Sequence, residues 1–297
     1  MRFLIFIIFV GCTDSCSAQT TTPKMLASNR DGNSLLWEIS GNGVKKPSYL
    51  FGTFHLMCSN DIHFSENLKT ALISIDEVYF EMDLDDLSEM MSAFFLMNMK
   101  HGQTLKDLYD SANYVKVQSF FQDTLLLPFV ALQKIKPAFL ESMLYTKMLP
   151  CAPLSGVEEE LLKIATANKK EVRGFETMAF QAAIFDSIPY QTQAGSLLQS
   201  IDSLQWGRVE FQRMLETYKM QQLDSLEVLM KEGHGLDAKN EELLLTRRNK
   251  NWVVKINTIL KSKAIFAGVG AGHLIGKDGL LSLLKKEGYM VRPIWNR

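Results

Sequence analysis

The chain has 297 residues, 46% of them hydrophobic, and a formal net charge of −1. That length can bury a substantial core in one domain or two. The charge offers no basic surface to nucleic acid and no acidic tail, and no glycine-rich loop of the Walker type is present, which argues against nucleic-acid and nucleotide chemistry.

Residues 1–18 read as a targeting segment. Met1-Arg2 is a short positive start, Phe3 to Val10 is an apolar run too short to cross a bilayer as a helix, and Cys16-Ser17-Ala18 offers small residues before a cut. Cleavage before Gln19 would give a soluble product. Gly11-Cys12 also suits a lipoprotein site that would leave a lipid anchor on Cys12, although Phe9 is unusual three residues before such a cysteine. Either route predicts an exported protein of the periplasm or its membranes. Without the leader, Cys58 and Cys151 remain, and an oxidising compartment would let them pair. Cys58 also lies three residues after His55, which admits a metal-ligand role; burial as a small apolar side chain is the preferred account.

Residues 19–34 are polar and aperiodic, and are expected to form a flexible mature N-terminus. Leu35–Ile39 and Pro47–Phe51 flank Gly41-Asn42-Gly43 and predict a hairpin, which places His55 just past its second strand. Asp76–Glu81 is a short strand ending in a carboxylate. From Leu84 to Met148 the spacing is helical, interrupted at Pro128 and Pro137. Met90, Met91, Met97 and Met99 there either fill core or form an adaptable lip for a peptide. Ser155 and Glu158 are spaced as a capping box for a helix running to Asn168, which gives Glu158 a structural task. Lys170–Arg173 is a strand leading to Glu176, with Thr177 as a helix cap and Glu176 as an ion-pair partner or substrate contact.

Amphipathic helices follow from Thr192 to Lys231. Asp237 is expected to cap a further helix that carries Arg247, Arg248 and Asn249. Ala264–Val269 is a strand, Asp278–Glu287 a helix stopped by Gly288, and Tyr289–Ile294 a closing strand. His101 and His234 read as helix-terminus residues. His63, eight residues after His55, lacks the strand-glycine context of the pair, with approach to the site from a loop as the less favoured alternative.

The chemistry is concentrated in Gly52-Thr53-Phe54-His55 and Gly270-Ala271-Gly272-His273, each of which follows a strand. Gly52, Gly270 and Gly272 permit the turn. Ligands gather at the carboxyl ends of parallel strands, so His55 and His273 are expected to meet Glu81 there, as two imidazoles and a carboxylate suited to a divalent ion such as manganese, cobalt or zinc. No local zinc motif such as H-E-x-x-H is present. Arg248 is a candidate to steady Glu81, Glu176 or a developing oxyanion, with a surface ion pair as the alternative.

These segments, together with Tyr49–His55, Val78–Glu81, Gly156-Val157-Glu158, Gly174–Thr177, Arg248-Asn249 before Trp252, and Val269–Leu280, resemble the TraB/GumN family from about Leu36 to Ile294. The resemblance implies a single α/β domain over 35–297 with a central β-sheet, flanking helices and a large helical insertion, related to the erythromycin-esterase-like proteins. For the Tiki branch it implies a metal-dependent peptidase favouring manganese or cobalt. The expectation is therefore an exported metal-dependent hydrolase acting on a peptide or small molecule, in which His55 and His273 hold the ion and Glu81 is a third ligand or the base. The alternative is a non-catalytic protein that binds a peptide or cofactor. Oligomeric state is not legible.

Overall fold

Short apolar runs rich in β-branched and aromatic residues build a mixed six-stranded sheet in the computed structural model, which describes residues 32–232 and 238–296. The leader with Cys12, most of the 19–34 segment, His234 and the Asp237 cap lie outside those residues. Ser34, at the end of that segment, is buried and its hydroxyl donates to the Ile294 carbonyl at 2.6 Å.

The strands are β1 (Leu36–Ser40), β2 (Ser48–Thr53), β3 (Met57–Cys58), β4 (Glu77–Met82), β5 (Leu154–Ser155), β6 (Glu171–Glu176), β7 (Ile265–Gly270) and β8 (Met290–Pro293). Their order in the main sheet is β6-β4-β7-β2-β1-β8. The expected hairpin is present, β1 pairing antiparallel with β2 through a turn in which Gly41, Asn42 and Gly43 all adopt positive φ. β2, β7, β4 and β6 run parallel, so their carboxyl ends share one edge. All six residues of β2 and of β7 are buried, the near-continuous apolar reading expected of parallel strands covered on both faces.

The helices Glu66–Ser74 and Val157–Ala167 pack on this parallel core. Between β4 and β6, and again between β6 and β7, the chain leaves the sheet to build a helical layer. The two excursions form one body: Pro137–Met148 packs on Tyr190–Asp202 and Leu204–Lys219, and Leu87–Leu96 packs on Met178–Asp186. Lys136 ties them together. Its ammonium is almost fully buried, donates to the carbonyls of Leu96 at 2.7 Å and Ala182 at 3.2 Å, and pairs with Asp186 at 2.8 Å. Pro128 and Pro137 start helices rather than bend them, because proline's fixed φ suits a first turn that needs no N–H. Met99 is core and Met91 is 57% exposed, so the methionines do not act as one surface.

Two local expectations change. The helix Val157–Ala167 is capped at Gly156 without a side chain, and Ser155 bonds Glu159 and Glu160 instead; the capping box is not formed and Glu158 is left for other work. Cys58 is neither a free apolar filler nor a metal ligand: it is bonded to Cys151, 93 residues away, with Cα atoms 5.8 Å apart. The bond sits beside the small β3–β5 ribbon, in which Met57 faces Ser155 and Cys58 faces Leu154. Replacing both cysteines by serine should cost about 2–5 kcal/mol of stability. Denaturant midpoints check this: reductant should lower the midpoint of the native chain and leave that of the double variant unmoved.

Among the described residues no helix is long and apolar enough to cross a membrane.

Candidate active site

The shared edge delivers the site. β2 ends two residues before His55, β4 carries Glu81 as its penultimate residue, β6 ends on Glu176, and β7 ends on Gly270, three residues before His273. The helix Arg247–Ile259 brings Arg248 and Asn249, both buried, to the same place.

Glu81 is the centre. Its Oε1 accepts the Gly270 N–H at 2.9 Å, and its Oε2 pairs with Arg248 Nη2 at 2.6 Å. Burial pushes its pKa up, but His273, His55, Arg248 and the Gly270 amide outweigh that and hold it at about 2. Arg248 spans two carboxylates, since its Nε also donates to Glu176 Oε2 at 2.9 Å, and its plane lies over Trp252, 4.8 Å from the ring centroid. The ion-pair role expected for Glu176 is thus present, and Thr177 caps the next helix by accepting from Phe180 N–H at 3.1 Å.

His273 is buried, its ring 4.4 Å from that of Trp252, which stacks in turn on Phe175. Burial lowers its pKa to about 4, so it is neutral near pH 7, when the cation in contact with Glu81 is Arg248. The network assigns its tautomer. Asn249 donates Nδ2–H to the Asp278 carbonyl at 2.9 Å, which leaves its Oδ1 to accept from His273 Nδ1 at 2.7 Å. His273 Nε2 therefore carries a lone pair, 3.3 Å from Arg248 Nη1 and 3.6 Å from Glu81 Oε1.

His55 is the exposed partner, with 70% of its side chain accessible. Its Nδ1 donates to Glu158 Oε1 at 2.6 Å, and the same oxygen accepts from Thr53 Oγ1 at 2.5 Å. The Glu158 carboxylate raises its pKa to about 9, an effect that solvent at so open a ring screens. Its Nε2 faces Gly270: a Cβ there would lie 3.4 Å from His55 Nε2 and 3.2 Å from Glu81 Oε1. Glycine at 270 keeps a Cβ from pressing on both side chains. At Gly52 a Cβ would stand 3.2 Å from Ala271, which is how closely the two motif turns approach. Gly272 needs its bareness less, since what it would meet is the flexible end of Met230.

His55, Glu81, His273, Glu176, Arg248 and Asn249 thus converge from four strands and a helix. His63 does not join them; it lines a separate cavity of about 400 Å³ with Phe51, Met57 and Tyr218. His101 sits at φ 57 in a turn of the helical layer. Sequence reasoning missed Glu158 and Thr53 as His55 partners. The signal was the Gly156-Val157-Glu158 segment, which a capping explanation had absorbed.

Among the described residues no three His, Cys, Asp or Glu side chains surround one metal-sized point. The donor types are those a divalent ion uses, two imidazoles each held through Nδ1 by an oxygen acceptor and a carboxylate beside them. Arg248 Nη1–H stands at His273 Nε2, however, and Arg248 also pairs with that carboxylate, so an ion would have to displace it.

The neutral burial of His273 has a sign that can be checked. Its folded pKa lies below the unfolded 6.5, so as pH falls from 6.5 toward about 4 the unfolded chain takes up a proton that the folded chain refuses, and stability is lost across that window. The stability gap between the native chain and His273→Gln, read from denaturant melts, should therefore be narrower at about pH 5 than near neutrality.

Three relatives carry a name that bears on this geometry. The chain is 22% identical over 331 residues to metalloprotease TIKI1 of Danio rerio, covering 92% of this chain and 64% of that protein. It is 24% identical over 340 residues to metalloprotease TIKI2 of Danio rerio, covering 95% and 65%, and 23% identical over 324 residues to the metalloprotease TIKI homolog of Nematostella vectensis, covering 88% and 67%. It spans about two thirds of the length of these relatives. No solved structure matches. The sequence profile described as the TraB/PrgY/gumN family matches residues 35–293, and the chain belongs to that family.

Proposed function

We propose that the chain is an exported metal-dependent hydrolase acting on peptides, with its site at His55, Glu81 and His273. The observation that carries the reading is that two imidazoles, each tied through Nδ1 to an oxygen acceptor, flank one carboxylate at the carboxyl edge of the parallel strands. The name metalloprotease borne by the relatives supports the same reaction class. The erythromycin-esterase-like relationship and a single domain over 35–297 are part of this proposal.

The ion, manganese, cobalt or zinc, would be held by His55 and His273 through Nε2, with Glu81 as third ligand or as base; the chemistry it supplies when bound is Lewis acidity near neutral pH. The chain's own groups do the rest. Arg248 fixes Glu81 through Oε2 and the Gly270 N–H holds Oε1, so the carboxylate is ionised and oriented at the cleft. To serve as the base it would need its pKa, held at about 2, brought toward the working pH by displacement of Arg248. The Trp252 ring packs on the His273 ring and helps keep it buried and neutral, while Arg248 Nη1–H stands at its Nε2. His55, open to solvent, stands on the side where substrate can enter.

A second reading is a non-catalytic protein that binds a peptide or cofactor. It is favoured by Arg248, whose guanidinium already neutralises the Glu81 carboxylate that an ion would use. Metal content of the purified mature chain, with hydrolysis of a peptide library measured with and without chelator, separates the two. Stoichiometric metal with chelator-sensitive cleavage supports the hydrolase; tight peptide binding without turnover selects the second reading.

Export is tested at the N-terminus. Mass spectrometry of the native protein should find Gln19, free or cyclised, or a diacylglyceryl mass on Cys12. An intact Met1-Arg2 start on cytosolic protein would reject export.

A further inference from the structure

The two motifs look alike in sequence, and the fold completes each of them from outside the motif. Asn249 supplies the oxygen that holds His273, from the helix Arg247–Ile259. Glu158, in the first turn of the helix Val157–Ala167, supplies the oxygen that holds His55.

We infer that Glu158 is a positioning residue, whose carboxylate fixes His55 through Nδ1 and so presents Nε2 to the cleft beside Gly270 and Glu81. The inference rests on the proposed site and adds to it a residue outside the His-Glu-His set.

Three arrangements make Glu158 a built partner rather than a passing surface contact. Its side chain is only 13% exposed, although the ring that it holds is 70% exposed. Thr53, two residues before His55, donates to the same Oε1 and fixes the direction of the carboxylate. The segment before Glu158 is stitched to the segment around His55: Val157 N–H donates to the Phe54 carbonyl at 3.0 Å, and Gly156 approaches so closely that a Cβ would stand 2.8 Å from the His55 carbonyl oxygen. The β3–β5 ribbon and the Cys58–Cys151 bond join the same two segments just beyond His55 and just before Gly156. An exposed imidazole with no such partner would turn freely about χ1 and χ2, and a ligand or base must be held in one geometry.

Asn249 predicts which substitutions Glu158 tolerates. An amide oxygen suffices to hold His273, so Glu158→Gln should keep much of the function and Glu158→Leu should lose it. The first readout needs neither metal nor substrate: in the metal-free full chain with labelled histidine, NMR should show the Nδ1-bound proton of His55, identified by its absence in His55→Ala, downfield and slow to exchange. Glu158→Leu should remove that signal and Glu158→Gln should retain it, while Glu159→Gln, on the same helix, should leave it unchanged.

The second readout is calorimetric titration with manganese, whose affinity should weaken about 10–100-fold in Glu158→Leu and less in Glu158→Gln. If Glu158→Leu does not fold, Thr53→Val, which removes only the bond directing the carboxylate, should speed exchange of the same proton. An unchanged His55 signal in Glu158→Leu, or in Thr53→Val where that variant replaces it, overturns the inference. A native chain that binds no manganese but loses the His55 signal in Glu158→Leu keeps the positioning role and rejects the metal reading instead.

Discussion

His55→Ala and Glu81→Gln should each reduce peptide hydrolysis by at least about a hundredfold, the lower end of what a positioned acid or base contributes, and they should do so with little change in the fold. His55 is exposed, so truncating it removes almost no packing, and such surface changes stay within about 0.5 kcal/mol. Glu81→Gln keeps the shape and leaves Arg248 paired with Glu176. His273 needs different handling. It is buried against Trp252, and alanine there would open a cavity and confuse stability with chemistry, so His273→Gln is the informative variant. Steady-state rates beside thermal melts test all three. Besides the cleft, the His55→Ala change takes from Glu158 its imidazole partner and leaves it Thr53, so the melts are read beside the rates. Full activity in His55→Ala would remove the enzyme reading at its root.

The largest effect on stability is expected at Arg248. One guanidinium is shared by two carboxylates, Glu81 and Glu176, whose side chains are 12% and 5% exposed. Arg248→Met would remove the cation that both carboxylates share and leave Glu81 only the Gly270 N–H and Glu176 only the Gln181 amide; breaking a buried ion pair in this way costs about 3–5 kcal/mol. Adding Glu176→Gln removes one of the orphaned charges and should recover part of the loss, whereas Glu176→Gln alone leaves Arg248 paired with Glu81 and should be milder. Chemical denaturation of the three variants gives the comparison. A loss in Arg248→Met no larger than that in Glu176→Gln would show that the guanidinium is not what holds the two carboxylates in place.

Much of this was legible in the sequence for a physical reason. Parallel strands buried on both faces are written as continuous apolar runs, so β2, β4 and β7 could be placed, and with them the residues at their ends. The grouping of His55, Glu81 and His273 follows from that placement alone. What could not be read was anything that depends on which helix face turns inward. The spacing of Ser155 and Glu158 satisfied a local rule, but the helix begins one residue later, with Gly156 as its cap, so the pair is out of register and Glu158 bonds His55 and Thr53 instead. Lys136 was invisible for a similar reason: a buried lysine is rare, and only the meeting of two distant helical segments supplies its acceptors. The pairing of Cys58 with Cys151 needed the distance between two loops, which no spacing encodes.

That bond joins residues on opposite sides of the helical layer's first excursion, and its consequence lies in timing. His55 is made early in synthesis and Glu158 about a hundred residues later, so for a chain exported unfolded the contact between them closes only after the second cysteine has reached an oxidising compartment. Copies retained in a reducing cytosol lack the clasp beside the contact that orients His55. On the proposed reading of an exported hydrolase, the clasp beside the His55–Glu158 contact forms only where an oxidant is found, while the Val157–Phe54 hydrogen bond and the β3–β5 pairing do not depend on one.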